Sequence, residues 1–171
     1  MRVTFNIIKW TVTAILMVSV FSHHSVEARS HGEIYAWVVD ELDLKEDYPL
    51  PAVTIVSRDE LRRTYRAYNA KAFKSWSSDY GEQMANQMMD FYLDNVVGLF
   101  IPKTGQVLVG DFLASCKREA VVAHEMAHYL QLMKDGQIDP RTHDAADRFL
   151  LREMQGSGIE NSYVKQYCPE K

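Results

Sequence analysis

His124, Glu125 and His128 stand in the pattern His-Glu-x-x-His. On a helix, positions four apart share one face, so the two imidazoles can meet a single metal ion. Zinc binds histidine nitrogen at about 2.0–2.1 Å, within reach of two such rings. Glu125 falls beside the pair, where a carboxylate can take a proton from metal-activated water. From Ala120 to Met133 the sequence is apolar almost all round, the mark of a buried helix. Three ionisable side chains on such a helix are costly unless something pairs with them, and a metal does so. One zinc ion (Zn2+) per chain is therefore expected.

The elements that must hold these groups follow from patterning. Val96 to Ile101 and Gln106 to Gly110 read as strands joined by the turn Pro102-Lys103-Thr104-Gly105. The motif helix comes next, with Ser115 placed as its N-cap and Gly136 just past its end. Asp139-Pro140 opens a further helix, expected to run to about Gln155 and stop before Gly156. Its His143, Ala146, Asp147, Leu150 and Met154 share one face, predicted to point inward.

Upstream, Glu33 to Leu42 is patterned as a helix that Tyr48-Pro49-Leu50-Pro51 breaks. Ala52 to Val56 is a β-branched run of strand character, and Ser57 with Glu60 forms a capping box for a helix to about Tyr68. Ala70 to Tyr80 reads as loop, and Tyr80 to Tyr92 as a weakly patterned helix whose Met84, Met88 and Met89 fill core.

The chain's 171 residues suit one domain, and a net charge of −4 without basic clusters argues against a nucleic-acid partner. Residues 1–28 have the makeup of a signal peptide. Arg2 and Lys9 precede a largely apolar run from Trp10 to Phe21, and Val26-Glu27-Ala28 forms a cleavage site before Arg29. That run falls short of the roughly 20 residues that span a bilayer, although Ile7 and Ile8 would extend it if it stayed as an anchor. Cleavage leaves residues 29–171 as the mature domain, secreted or periplasmic, with no membrane contact. Cys116 and Cys168, the only cysteines, are expected to pair in such a compartment. Cys116 does not suit the metal, since eight helical residues put it about 12 Å from His124.

A strand hairpin, a His-Glu-x-x-His helix and a second helix with a ligand together resemble the zincin metallopeptidases, the gluzincin branch especially. The layout is also similar to small exported bacterial proteins of unknown function that carry the same motif. The resemblance covers about residues 95–155. It implies an α+β fold, a minimal zincin-like domain with a small antiparallel sheet packed on helices that include the buried motif helix. It also implies a third ligand on the second helix, where gluzincins carry Glu-x-x-Ala-Asp. Here His143-Asp144-Ala145-Ala146-Asp147 matches the Ala and the Asp and has His143 in the glutamate position. His143 is thus the expected third ligand, and Asp147 an orienting carboxylate. Asp147, Asp144 and Glu153 are its rivals. The metzincin pattern fails, because Gln131 and Lys134 replace the required Gly and His.

The expected function is that of an exported zinc-dependent peptidase, with Glu125 as general base toward a peptide or protein substrate. The resemblance implies substrate pairing along Gln106 to Gly110. It also implies an oxyanion partner, for which Tyr129, Tyr163 and Tyr167 are candidates. A non-catalytic zinc-stabilised envelope binding protein is one alternative, and a zinc amidase acting on a non-protein substrate is another.

Overall fold

The computed structural model describes residues 28–137 and 144–168. Helix α1 (His31–Glu41) opens with a reciprocal cap. Ser30 Oγ accepts from the Glu33 N–H, and the Glu33 carboxylate accepts from the Ser30 N–H at 2.8 Å. Strand β1 (Ala52–Val56) leads to α2 (Arg58–Tyr68), where Ser57 Oγ accepts from the Glu60 N–H. Helices α3 (Ala70–Tyr80) and α4 (Glu82–Asn95) follow, then the hairpin of β2 (Gly98–Ile101) and β3 (Gln106–Gly110). The chain ends on α5 (Ser115–Asp135) and α6 (Ala145–Tyr167), which pack against each other.

The class is α+β, as expected, but the sheet is mixed rather than antiparallel. Its order is β1-β3-β2, with β2 antiparallel and β1 parallel to the central β3. The hairpin sets the first pairing. The second joins β1 to a strand some fifty residues later, a non-local parallel pairing that hydrophobic alternation alone does not reveal.

Alternation on these strands builds two cores. Val107, Val109 and Phe100 point to one face and meet Ile34, Val38, Val121, Met126 and Tyr163 from α1, α5 and α6. Leu99, Leu108 and Val56 point to the other and meet Leu61 of α2. Three layers result, with α1, α5 and α6 beneath the sheet and α2 above it.

Several local expectations give way to packing. Residues 70–80 are helical rather than loop, yet α3 buries none of its side chains completely, and its contacts are with α4 and α2. Its helicity is a tertiary effect that a window of sequence does not show. The N-cap of α5 is Ala114, and Ser115 lies inside the helix with its hydroxyl 3.5 Å from Glu119 Oε1. Gly136 does end α5, at φ 74°. Met89 is buried, whereas Met84 is exposed.

The largest correction concerns α6. It runs through Gly156 and Gly158 to Tyr167, and its buried residues are Gly156, Ile159 and Tyr163. Leu150 and Met154, expected inside, are about 60% exposed. The stop assigned to Gly156 displaced the inward stripe. Asp139-Pro140 and His143 lie outside the described residues, as does nearly all of the expected signal peptide. Among the described residues no helix is long and apolar enough to cross a membrane.

Cys116 and Cys168 are bonded, Cα to Cα 5.7 Å, tying the start of α5 to the end of α6. The bridge is compatible with an oxidising compartment. It joins residues 52 apart, so replacing both cysteines with serine should cost about 4 kcal/mol on the chain-entropy reckoning. Chemical denaturation of the double variant under non-reducing conditions checks this, and an unchanged midpoint would refute it.

Candidate metal centre

Helix α5 is buried along almost its whole middle, from Glu119 to Gln131. His124 and His128 are the partly exposed exceptions, and both open toward α6. Their Nε2 atoms lie 3.0 Å apart. Two nitrogens at zinc distance on a tetrahedral ion would be about 3.3 Å apart.

The third group to arrive is Glu153 of α6. Its Oε1 is 3.3 Å from His128 Nε2, and its Oε2 is 3.9 Å from His124 Nε2. Among the described residues these three form the one group with ligand atoms all within 4.8 Å of one another. Asp144 and Asp147 do not join it. Asp144 pairs with Arg148, and Asp147 is exposed in the first turn of α6.

The far side of each imidazole is held. His128 Nδ1 lies 2.9 Å from Gln131 Oε1, an acceptor only, so Nδ1 carries a proton and Nε2 is the nitrogen turned to the site. The Gln131 amide in turn donates to Gln155 Oε1 at 2.8 Å and to the Arg152 carbonyl at 3.2 Å, which fixes its own orientation. His124 Nδ1 is 3.3 Å from Glu160 Oε2, and Glu160 also pairs with Lys117. The His124 imidazole and the Lys117 ammonium hold the Glu160 carboxyl down at about 2. Two imidazole nitrogens and a carboxylate therefore converge on one point. That donor set fits a zinc ion, and the outer partners are of the kind that orient metal-bound imidazoles.

The electrostatics agree. His128 holds the Glu153 carboxyl below its ordinary range. Burial opposes charging of His128, but Glu153, Glu125 and Gln131 outweigh it and raise its pKa. The pocket attracts positive charge.

Glu125 packs against β2. A Cβ added to Gly98 of β2 would stand 2.5 Å from Glu125 Oε1, so only glycine admits this carboxylate against the strand. Burial raises its pKa, while the two imidazoles and the backbone N–H of Phe100 favour its charged form. Gly156 serves α6 in the same way. A Cβ there would lie 3.1 Å from His124 Nε2.

Strand β3 is central and has both edges paired, so it has no edge left for a substrate strand. The sheet's outer edges are those of β1 and β2, and β2 is the one packed on Glu125. The Gly110 N–H donates to the Val97 carbonyl at 3.0 Å, which fixes the alternation of the ladder. Leu99 and Ile101 thus bond toward β3, and the peptide groups of Gly98 and Phe100 face outward beside Glu125. The three candidate tyrosines are engaged elsewhere. Tyr129 Oη donates to the Pro49 carbonyl and Tyr163 Oη to Glu119, while Tyr167 accepts from Gln166 and carries Arg29 over its ring.

The chain matches no family model, and no significant likeness to a curated protein or a solved structure is found.

The sequence signal for Glu153 is its spacing. Phe149, Glu153, Gly156, Glu160 and Tyr163 recur at intervals of four and three, one stripe of a helix. Glu153→Ala should therefore cut zinc affinity by more than the roughly 10–100-fold typical of an outer partner, and Glu160→Gln should fall within that range. Competitive chelator titration decides between Glu153 and His143. Metal loss in His143→Ala but not in Glu153→Ala would exclude the trio as the ligand set.

Proposed function

We propose that this protein is a zinc-dependent peptidase of zincin type, working outside the cytoplasm. The observation that carries the reading is the position of Glu125. Its buried carboxylate lies between the imidazole pair and the open edge of β2, packed directly on Gly98. A purely structural metal site has no use for a proton acceptor there.

His124, His128 and Glu153 would hold the metal, leaving one position of a tetrahedral set free. Zinc in such a site lowers the pKa of water toward neutrality and polarises a carbonyl group. The remaining steps belong to the chain. An extended substrate lies along β2 and bonds the outward peptide group of Gly98 and the carbonyl of Phe100, whose N–H is turned to Glu125. Glu125 takes the proton from the attacking water, and burial makes it the better acceptor. Oxygen bonds to the peptide carbon, the C–N bond breaks, and Glu125 delivers the proton to the departing amine. Gln131 and Glu160 keep both imidazoles oriented throughout.

Purified protein should contain one zinc per chain by elemental analysis and cleave a fluorogenic peptide library in a chelator-sensitive way. Glu125→Gln should keep the metal and lose at least about a hundredfold in kcat, since the amide accepts no proton at neutral pH. Full activity in that variant would remove Glu125 from the mechanism. Zinc-loaded protein that cleaves nothing in the library would point to a binding protein instead.

A further inference from the structure

Helix α6 carries an apolar row on the face turned away from α5. Leu150 and Met154 are 58% and 61% exposed, and Leu151 beside them is 63% exposed. Phe149, 61% exposed, borders the row on the side of Glu153. At about 60% of roughly 150–200 Å² each, the four side chains leave about 400 Å² of apolar surface open, the size at which the largest patch of a monomer is often functional. Glu153 belongs to the inward stripe, so the outward row takes no part in the candidate centre.

The same row contains a glycine that the single molecule does not use. Gly158 lies four residues after Met154, inside the helix, and is exposed. A Cβ there would meet no atom of the described residues within 4 Å. Gly156 makes room for the His124 ring, whereas Gly158 makes room for nothing in its own chain. Glycine inside a helix is unfavourable relative to alanine, so its place on the apolar row calls for a neighbour. Large side chains fill the first half of the outward face. Ser157, Gly158, Asn161 and Ser162, all exposed, fill the second.

We propose that this face binds a second copy of the chain, with the two α6 helices antiparallel about a twofold axis at Met154. Leu150, Met154 and Gly158 are spaced by four, the ridge that interdigitates in the commonest class of helix packing. Antiparallel alignment centred on Met154 sets Leu150 of each copy over Gly158 of the other, with the two Met154 side chains side by side. Asp147 falls opposite Asn161, whose amide is a donor for its carboxylate. The face is thus complementary to itself, large against small at both ends, which is what a twofold interface requires. A lipid surface would favour apolar residues along the whole face, and here they occupy half of it. The area agrees, since two rows bury about 800 Å² of apolar surface and their polar margins bring the total to about 1,200 Å², the lower end for a specific interface. The dimer is therefore reversible and forms at high concentration.

Sedimentation velocity of the purified protein, from about 1 to about 500 µM, tests this. The mass should rise toward twice that of the monomer. Leu150→Ser combined with Met154→Ser, both at exposed positions, should weaken association at least about a hundredfold and leave the melting temperature of the dilute protein unchanged. Gly158→Gln should move fold and dimer in opposite directions. Removing a helical glycine should raise the melting temperature of the dilute protein by about 2–4 °C. The longer side chain should meanwhile take the place of Leu150 from the other copy and weaken association at least about tenfold. A protein that stays monomeric over the whole range overturns the proposal. So does a dimer that either variant leaves intact. Binding to phosphatidylcholine vesicles by a protein that remains monomeric, lost with Leu150→Ser and Met154→Ser, would assign the row to a lipid surface instead and overturn it as well. The measurement involves neither metal nor hydrolysis, so it stands or falls apart from the peptidase reading.

Discussion

Two imidazole nitrogens held 3.0 Å apart and facing a carboxylate are costly to bury unless a shared proton or a cation satisfies them. That demand is the constraint to which α5 and α6 are fitted. In solution the rings would turn away. Here Gln131 blocks rotation of His128 from behind, and Glu160 lies behind His124.

The α5–α6 pair is built to sustain this. A sequence of cross-links runs along the seam, from the Cys116–Cys168 bond through Tyr163 with Glu119 and Lys117 with Glu160 to Gln131 with Gln155. Few of these contacts are apolar. The inward face of α6 buries only Gly156, Ile159 and Tyr163 completely, far less than a helix of 23 residues usually covers. Polar groups dominate one seam, where His124 and His128 of α5 meet Glu153 of α6. The covalent bridge at its end limits how far the helices can separate. Gly156 belongs to the same trade. A glycine inside a helix costs roughly 0.5–1 kcal/mol relative to alanine, and here the absent side chain is what lets α6 approach the His124 ring.

The strongest local signals were legible in the sequence. The motif helix, the hairpin before it, the Ser57 cap and the Gly136 stop are each written in a few adjacent residues. The cysteine pair also declared itself, through number and expected compartment. The parallel pairing of β1 with β3 did not, because it joins segments far apart in the chain. Helix α3 was hidden because its stability comes from α4 and α2. Glu153 was obscured by a rule that usually serves well, that glycine ends helices. Applied at Gly156, it cut the stripe from Phe149 to Tyr163 in two and drew attention to the residues before it. In a buried polar site a glycine marks close approach as readily as it marks an end.

The sheet lies between two sets of helices, α1, α5 and α6 on one face and α2 on the other. Because β3 is central, its hairpin partner β2 is left with a free edge directly over α5, and the hydrogen-bond alternation turns Gly98 and Phe100 outward there. Helix α2 covers the opposite face of the sheet, where Tyr65 packs on the cluster that contains Leu99 and stacks on Tyr92. One strand thus does two things. It takes the Glu125 carboxylate against Gly98, and it separates the helices beneath the sheet from α2 above it. Helices α3 and α4 hold Trp76 and Tyr92 behind Tyr65. That accounts for the presence, in so small a domain, of a helix like α3 that buries nothing of its own.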